Sequence, residues 1–172
     1  ANKKFGLLQI LENKKARQLT SKAVSLSFKA KVVGTTIGSL RAAILSWNST
    51  ADVVTSDVRT AWGAAGTNPT LATNWTYENT PASLSALTTS WQTFKIENVS
   101  IDTASTTNVA VFIWTDDTTM NIGDFLDIKE AKLETGAAAT EFDYTPYDEN
   151  LRECQRRCEK ISNIDTYSIF AL

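Results

Sequence analysis

The amino-acid sequence predicts an all-β fold: an antiparallel β-sandwich of the jelly-roll kind, followed by a short C-terminal helix. Several stretches alternate apolar and polar residues, turn residues separate these stretches, and only one stretch near the C-terminus has helical spacing. The chain of 172 residues is long enough for one domain with its own core. We assign residues 1–145 to the sandwich and residues 146–172 to the helix and tail.

Residues 24–32, VSLSFKAKV, carry the clearest strand signal, because apolar and polar side chains alternate without a break. This alternation predicts a strand with one face on the core and the other toward solvent. A turn with two glycines follows. Residues 40–47 are the second predicted strand, with Leu40, Ala42 and Ile44 on one face.

Residues 48–90 lack periodicity and are rich in Asn, Thr, Ser, Gly and Ala. We predict long loops there, with one or two short strands. A stretch of this length suits either a functional role or support of the sandwich edge. A further strand is predicted over residues 91–97.

Residues 109–114 are apolar at every position. An apolar run without alternation predicts a central strand that is covered on both sides, so Val111 and Phe112 should be buried on opposite faces. Residues 125–133 form the next predicted strand. Its apolar side changes within residues 128–131, which is the pattern of a β-bulge.

Helical spacing begins near the C-terminus, over residues 148–161, with Pro146 and Asp148 as start signals. The apolar stripe of this predicted helix consists of Leu151, Cys154, Cys158 and Ile161. Two interpretations stay open: the stripe packs on partner subunits of an oligomer, or it packs on the sandwich of its own chain.

Composition excludes several functions. The chain has no His, which removes the most common general base, the most common zinc ligand and the usual nucleophilic triads. The net charge of −2 gives no general attraction for nucleic acid, and no segment reaches the ~18 apolar residues of a membrane span. We therefore expect neither nucleic acid nor a membrane span, and no enzyme activity.

Charge is distributed unevenly along the chain. Residues 1–45 contain nine basic residues and one acidic residue, whereas residues 46–127 contain nine acidic and two basic residues. These charges are either solvated strand faces or complementary surfaces that select partners in an assembly.

Tryptophans next to polar loops suggest a glycan-binding site, because sugar sites combine an aromatic face with hydrogen-bonding groups. The candidate ligand-binding residues are Trp47, Trp62, Trp114, Asp52 and Asp116. Trp47 and Trp114 each end a predicted strand. Packing in the core or at its rim is the alternative for both; it is the preferred interpretation for these two residues and for Trp91.

Loop carboxylates raise two further possibilities. A Ca²⁺ ion would find oxygen ligands in Asp116, Asp117, Asp124 and Asp127, although no EF-hand-like spacing is present and solvated loop acids are the alternative. A glycosidase would need a pair of carboxylates from Asp52, Asp57, Glu97 and Asp116. Nothing in the sequence selects such a pair.

Three segments together resemble a pattern of bacteriophage tail and fibre proteins: AKLETG at 131–136, ATEFD at 139–143 and LRECQR at 151–156. The segments at 5–12, 24–31, 40–47 and 109–116 are similar to earlier strands of the same proteins, so the resemblance covers residues 5 to 160.

This resemblance implies a virion structural protein: a tail fibre, a receptor-binding protein or a head fibre or decoration module. It implies a jelly-roll domain similar to carbohydrate-binding modules, a homo-oligomer that is commonly a trimer, and other virion proteins and host surface polysaccharide as partners. The family often has a further strand ahead of the segment at Phe5, so it stays open whether residues 1–145 hold the whole sandwich. The alternative function is a carbohydrate-binding module accessory to a bacterial glycan-active enzyme.

Overall fold

The computed structural model describes residues 4–54, 57–102, 105–117, 121–144 and 146–155, the last three of them by their backbone alone. The chain divides into two compact units, residues 1–141 and 142–172. Strands make up 43% of the structure and helices 7%, which confirms the predicted all-β class with a small helix.

The first unit contains nine strands and a single turn of helix within its described residues. In chain order these are β1 (Gly6–Leu11), α1 (Asn13–Ala16), β2 (Ala23–Val33), β3 (Leu40–Trp47), β4 (Arg59–Ala61), β5 (Thr70–Leu71), β6 (Trp75–Tyr77), β7 (Gln92–Ser100), β8 (Asn108–Thr115) and β9 (Phe125–Thr135). The unpatterned stretch 48–90 thus holds three short strands rather than one or two. The helical turn α1 was not predicted, because four residues are too few to show helical spacing.

The strands form two main antiparallel sheets and one small one. Sheet A has the order β1-β8-β3-β6, sheet B has the order β7-β2-β9, and β4 pairs with β5. Strand β8 lies between β1 and β3, so its predicted central position is confirmed. The antiparallel sandwich is therefore established, while jelly-roll connectivity stays a prediction.

Sheets A and B pack face to face around the main core. Its strand residues are Val24, Leu26, Phe28 and Ala30 of β2, Leu40, Ala42 and Ile44 of β3, Phe94 and Val99 of β7, and Val109 and Ile113 of β8. This is the face that alternation predicted for β2 and β3. The polar residues of β2 between them lie on the opposite face of sheet B, as the period of two requires. Ser25 and Ser27 on that face are buried, so the predicted exposure to solvent is wrong at these two residues.

A second core lies on the opposite face of sheet A. Its buried members are Ala43, Leu45, Val58, Trp75, Ala110, Phe112 and Trp114. The cover over this face comes from the stretch between β3 and β6, including β4 and β5. Residues 109–114 of β8 are all apolar because each face of the strand meets a core, with Phe112 in the second core. Val111 faces the main core but is only half-buried, so its predicted full burial is wrong.

A β-bulge in β9 lies where the change of apolar side predicted it. Lys129 pairs with Lys29 and Lys132 with Ser27, so β9 carries one extra residue between these pairs. Glu130 at the bulge has a φ of 52°. Its carboxylate lies 2.6 Å from the Lys29 ammonium and 3.1 Å from that of Lys129. The bulge thus brings an acid between two like charges that face each other across the sheet.

The second unit contains α2 (Tyr147–Gln155), which confirms a short C-terminal helix. The carbonyl oxygen of Pro146 accepts hydrogen bonds from the backbone of Glu149 and Asn150, at 3.1 and 3.0 Å. The helix thus begins at Tyr147, and Asp148 lies in its first turn rather than at the predicted N-cap. An acid in the first turn still interacts favourably with the helix dipole.

A buried polar cluster attaches the cover to sheet A. Arg41 of β3 points toward the second core, and its Nε donates to Asp116 over 2.8 Å. Lys4 lies beside them, with its ammonium 4.0 Å from the Asp116 carboxylate. The two cations also bind the carbonyl oxygens of Ala64, Gly66, Thr67 and Pro81 and the Asn68 side chain, at 2.7 to 3.3 Å. One hub therefore fixes the loops of residues 64–81.

The same cluster sets two pKa values. Burial by itself raises the pKa of Asp116, but hydrogen bonds from Arg41, Ser83 and Gly66 outweigh burial and hold it below the ordinary 3.8. Burial lowers the pKa of Lys4 below its ordinary 10.5, against the attraction of Asp116. Asp116 therefore stabilises the fold in its charged form.

Replacing Arg41 by Met should destabilise the protein by about 3–5 kcal/mol, because the Asp116 carboxylate then stays buried without its partner. Urea denaturation measures this, and the exposed Arg17→Met provides the control. Adding Asp116→Asn to Arg41→Met should recover part of the loss. A double variant less stable than Arg41→Met would contradict the pairing.

The pH dependence of the free energy of unfolding tests the same Arg41–Asp116 pair. A carboxylate with a lowered folded pKa stabilises the fold above its ordinary pKa, and this contribution disappears as the pH falls below 3.8. The Asp116→Asn variant should therefore lose less free energy of unfolding than the wild type when the pH falls below 3.8.

Candidate functional site

Trp114 belongs to the second core and is not a surface platform. Its side chain is fully buried, and its ring lies 4.8 Å from that of Phe112 and 6.4 Å from that of Tyr77. Among the described residues, its indole N–H finds no acceptor. The prediction that a sugar stacks on Trp114 is therefore wrong, because the cover over sheet A leaves no ring face accessible.

Asp116 is likewise withdrawn from the surface. It is 6% exposed, and Oδ1 accepts hydrogen bonds from Arg41 and the backbone of Gly66. Its role as a ligand acceptor is a wrong prediction, since it holds the cover in place.

Trp47 is the last residue of β3 and Asp52 lies in the loop that follows, and both make contacts within this region. Asp52 has a φ of 58° and accepts hydrogen bonds from the Asn13 backbone at 2.8 Å and the Asn108 side chain at 2.7 Å. These two bonds lower the pKa of Asp52 below 3.8. Trp47 is half-buried, tilted against Trp75 at 5.3 Å. The loop is therefore a clamp between α1 and β8 rather than an open site.

Trp62 lines an open groove, unlike the buried Trp114. The groove has a volume of about 240 Å³ and is lined by Gly6, Leu8, Asp57, Val58, Arg59, Trp62 and Phe112. The rings of Trp62 and Phe112 stack with 5.9 Å between centroids and an angle of 27°. The groove therefore has an aromatic wall that the second core holds in place.

Gly6 gives the groove its shape. A Cβ on this residue would lie 2.7 Å from Cε2 of Phe112 and 2.9 Å from the carbonyl oxygen of Ile113. The second contact is with backbone, which cannot move aside. Only glycine therefore fits at this point of β1, and the space beside the Phe112 ring stays open.

Asp57 and Arg59 supply the polar groups of the groove. Val58 between them is buried while both neighbours are exposed, and both charged residues line the groove. The Arg59 guanidinium carbon lies 4.4 Å from the centre of the Trp62 ring, in cation–π contact. Among the described residues, neither charged side chain has an ion pair. Both are thus available to a ligand.

A larger groove of about 410 Å³ lies between β7 and the segment that follows β6. Its lining includes Glu78, Asn79, Lys95 and Glu97 but no aromatic residue. The Asn79 side chain accepts a hydrogen bond from the backbone N–H of Ile44 at 2.9 Å and donates one to the carbonyl oxygen of Ala42 at 3.3 Å. It thus pairs with backbone groups at the edge of β3. This groove lacks the aromatic surface that the Trp62 groove has.

Trp91 is at the surface, contrary to its preferred interpretation as a packing residue. It is 40% exposed on sheet B, with the ammonium groups of Lys31 and Lys129 at 5.0 and 4.7 Å from its ring centre. Both lysines also pair with acids, Asp127 and Glu130. The packing interpretation is therefore wrong for Trp91, whereas it is confirmed for Trp114.

The carboxylates proposed for Ca²⁺ are distributed over separate contacts. Asp117 accepts from the backbone of Gly38 at 2.7 Å, Asp124 binds Thr36, and Asp127 lies 3.3 Å from the Lys31 ammonium. The described residues contain no group of three or more carboxylate or thiol side chains that would hold a metal ion.

The four acids considered for glycosidase chemistry also make separate contacts. Asp52 clamps a loop, Asp116 pairs with Arg41, Glu97 accepts from the Ala139 backbone at 2.8 Å, and Asp57 lines the Trp62 groove. No two of these acids line the same described groove. An enzyme function stays untested, and no pair stands out for it.

The predicted oligomer stripe falls largely outside the described residues. Leu151 lies on α2 and is 39% exposed. Cys158 and Ile161 lie beyond the described residues, and Cys154 is described by its backbone only. The stripe therefore remains a prediction.

No family model, curated protein or solved structure matches this chain. Across the described residues, every helix is too short or too polar to cross a membrane. The assignment of a function thus rests on the geometry of the groove and on the resemblance in the sequence.

The sequence analysis missed Gly6 and Arg59. A signal for Arg59 is present, since DVRTAW at 57–62 alternates charged and apolar residues at its start. Gly6 has no comparable local signal, because the contact that requires glycine comes from β8.

Trp114→Ala should lower the free energy of unfolding by about 3–5 kcal/mol, because it leaves a cavity in the second core. Trp114→Phe should cost clearly less, since it keeps an aromatic ring and removes an N–H group without a described acceptor. Chemical denaturation compares the two. Equal losses would show that the indole N–H has a partner that matters.

Proposed function

We propose that this chain is a non-catalytic module of a bacteriophage virion, part of a tail fibre, receptor-binding protein or head decoration, that oligomerises and attaches to host surface glycans. The resemblance at the strand and turn of 131–143 supports the virion part. The β-sandwich, the open groove at Trp62 and the scattered carboxylates support a binding role over catalysis.

The observation that carries the glycan part is the Trp62 groove. It places an aromatic wall, a carboxylate and a guanidinium around one opening, which are the groups that bind the apolar face and the hydroxyls of a sugar. Its volume of about 240 Å³ lies below the usual range for extended small ligands, so it suits a single ring.

Binding requires one local rearrangement. The Arg59 guanidinium covers the Trp62 ring at 4.4 Å, and a stacked sugar takes its place while the exposed arginine moves to the rim. An exposed cation–π contact contributes about 0.5–1 kcal/mol, less than a stacked ring of about 1–3 kcal/mol returns. The exchange is therefore favourable.

The same groove would serve a carbohydrate-binding module of a bacterial glycan-active enzyme. The genes next to this one, and the full coding sequence, distinguish the two candidates. Capsid and tail genes support the virion module, whereas a hydrolase domain in the same chain supports the enzyme accessory.

Trp62→Ala should weaken glycan binding by about 5- to 150-fold, which corresponds to the loss of one stacking contact. A glycan array followed by calorimetry on the best ligand measures this. Trp91→Ala is the matched control, because it removes an exposed indole on the other sheet. Equal binding by wild type and Trp62→Ala, or no ligand on the array, would reject the glycan part.

The assembly part is tested by native mass spectrometry of the intact chain. We expect an oligomer, a trimer by the resemblance, and a monomer after truncation behind Pro146, because this removes the apolar stripe. A truncated chain with the mass of the parent oligomer would place the interface on the sandwich. An intact chain that stays monomeric at high concentration would remove the support for assembly.

A further inference from the structure

We infer that the Trp62 groove selects a neutral pyranose over acidic and amino sugars, with Asp57 and Arg59 as the two residues that determine this specificity. The inference rests on the proposed glycan binding and names the ligand class of the same groove. It follows from the placement of two opposite charges beside one apolar wall.

Asp57 and Arg59 both line the groove but do not form an ion pair with each other. Asp57 precedes β4 and Arg59 is its first residue; both are exposed on either side of the buried Val58. No ion pair joins them within 4.0 Å in the described structure, although both line the groove. A ligand therefore meets a separate acceptor and a separate donor.

Sugar hydroxyls match this arrangement because each one both donates and accepts hydrogen bonds. The Asp57 carboxylate accepts from hydroxyls but offers no donor, and the Arg59 guanidinium donates but cannot accept. A neutral pyranose satisfies both groups at once. An ionised carboxyl on the sugar is attracted by the Arg59 guanidinium but repelled by the Asp57 carboxylate, and an ammonium meets the reverse, so for each charged sugar the attraction of one group is offset by the repulsion of the other.

The walls of the groove limit the ligand further. Leu8 and Val58 add apolar surface next to the rings of Trp62 and Phe112, and Gly6 provides the space. None of these residues carries a charge. The net formal charge of the groove is therefore zero, from one acid and one base, and a charged ligand gains no overall attraction.

The test is a charge-selectivity switch. Asp57→Asn keeps the size and an acceptor oxygen but removes the negative charge, so Arg59 alone determines the potential of the groove. We measure the binding of wild type and variant on an array that carries neutral hexoses, uronic and sialic acids, and amino sugars. The ratio of acidic to neutral binding should rise at least about tenfold in Asp57→Asn.

Arg59→Gln provides the mirror experiment and should raise the ratio of amino to neutral sugar binding. Asp127→Asn is the matched control, since it removes one exposed acid from sheet B, where Asp127 pairs with Lys31. A purely structural role of Asp57 would weaken all glycans equally and leave the ratios unchanged.

The outcomes separate this inference from the proposed function. Wild-type protein that prefers acidic sugars, with Trp62→Ala abolishing that binding, overturns the neutral specificity and leaves glycan binding in place. Unchanged ratios in both Asp57→Asn and Arg59→Gln overturn the assignment of these residues. Absence of any glycan binding overturns both the inference and the proposed function.

Discussion

Sheet A buries both of its faces, and this requirement determines how the rest of the first unit is arranged. Strand β3 is buried from Leu40 to Ser46, and β8 is nearly as enclosed. One face meets sheet B, as in any two-layer sandwich. The other face carries Phe112 and Trp114, which would leave a large apolar surface in water without a cover. The long stretch between β3 and β6 supplies that cover.

A cover made of loops needs an anchor, because it has few ladder hydrogen bonds of its own. Arg41 provides one: it pairs with Asp116 directly after β8 and binds two carbonyl oxygens and an amide oxygen in the loops of residues 64–81. A buried ion pair adds little net stability over apolar packing, but breaking it is costly. The main effect of the hub is therefore to hold the loops in one defined arrangement, and its net contribution to stability is small.

The sequence was sufficient to predict a strand where one alternating face or one apolar run determines its burial. The alternation in β2, the bulge in β9 and the doubly covered β8 are read from periods that depend on local residues. The tryptophans were assigned less well, because the face of a sheet that becomes covered depends on a segment without any period. Trp114 and Trp91 both flank strands, yet only contacts from residues distant in the chain decide that the first is buried. Gly6 was not predicted for the same reason, because the contact that requires glycine comes from residues distant in the chain.

The groove lies where the cover of sheet A meets the edge strand β1, and its aromatic wall and its charged residues depend on the core to different extents. Phe112 belongs to the second core and Trp62 packs against it, so the core supports the aromatic wall. Asp57 and Arg59 are exposed and belong to neither core. Under the proposed function, substitutions at these two positions would change which ligand charge is accepted without a core contact being lost.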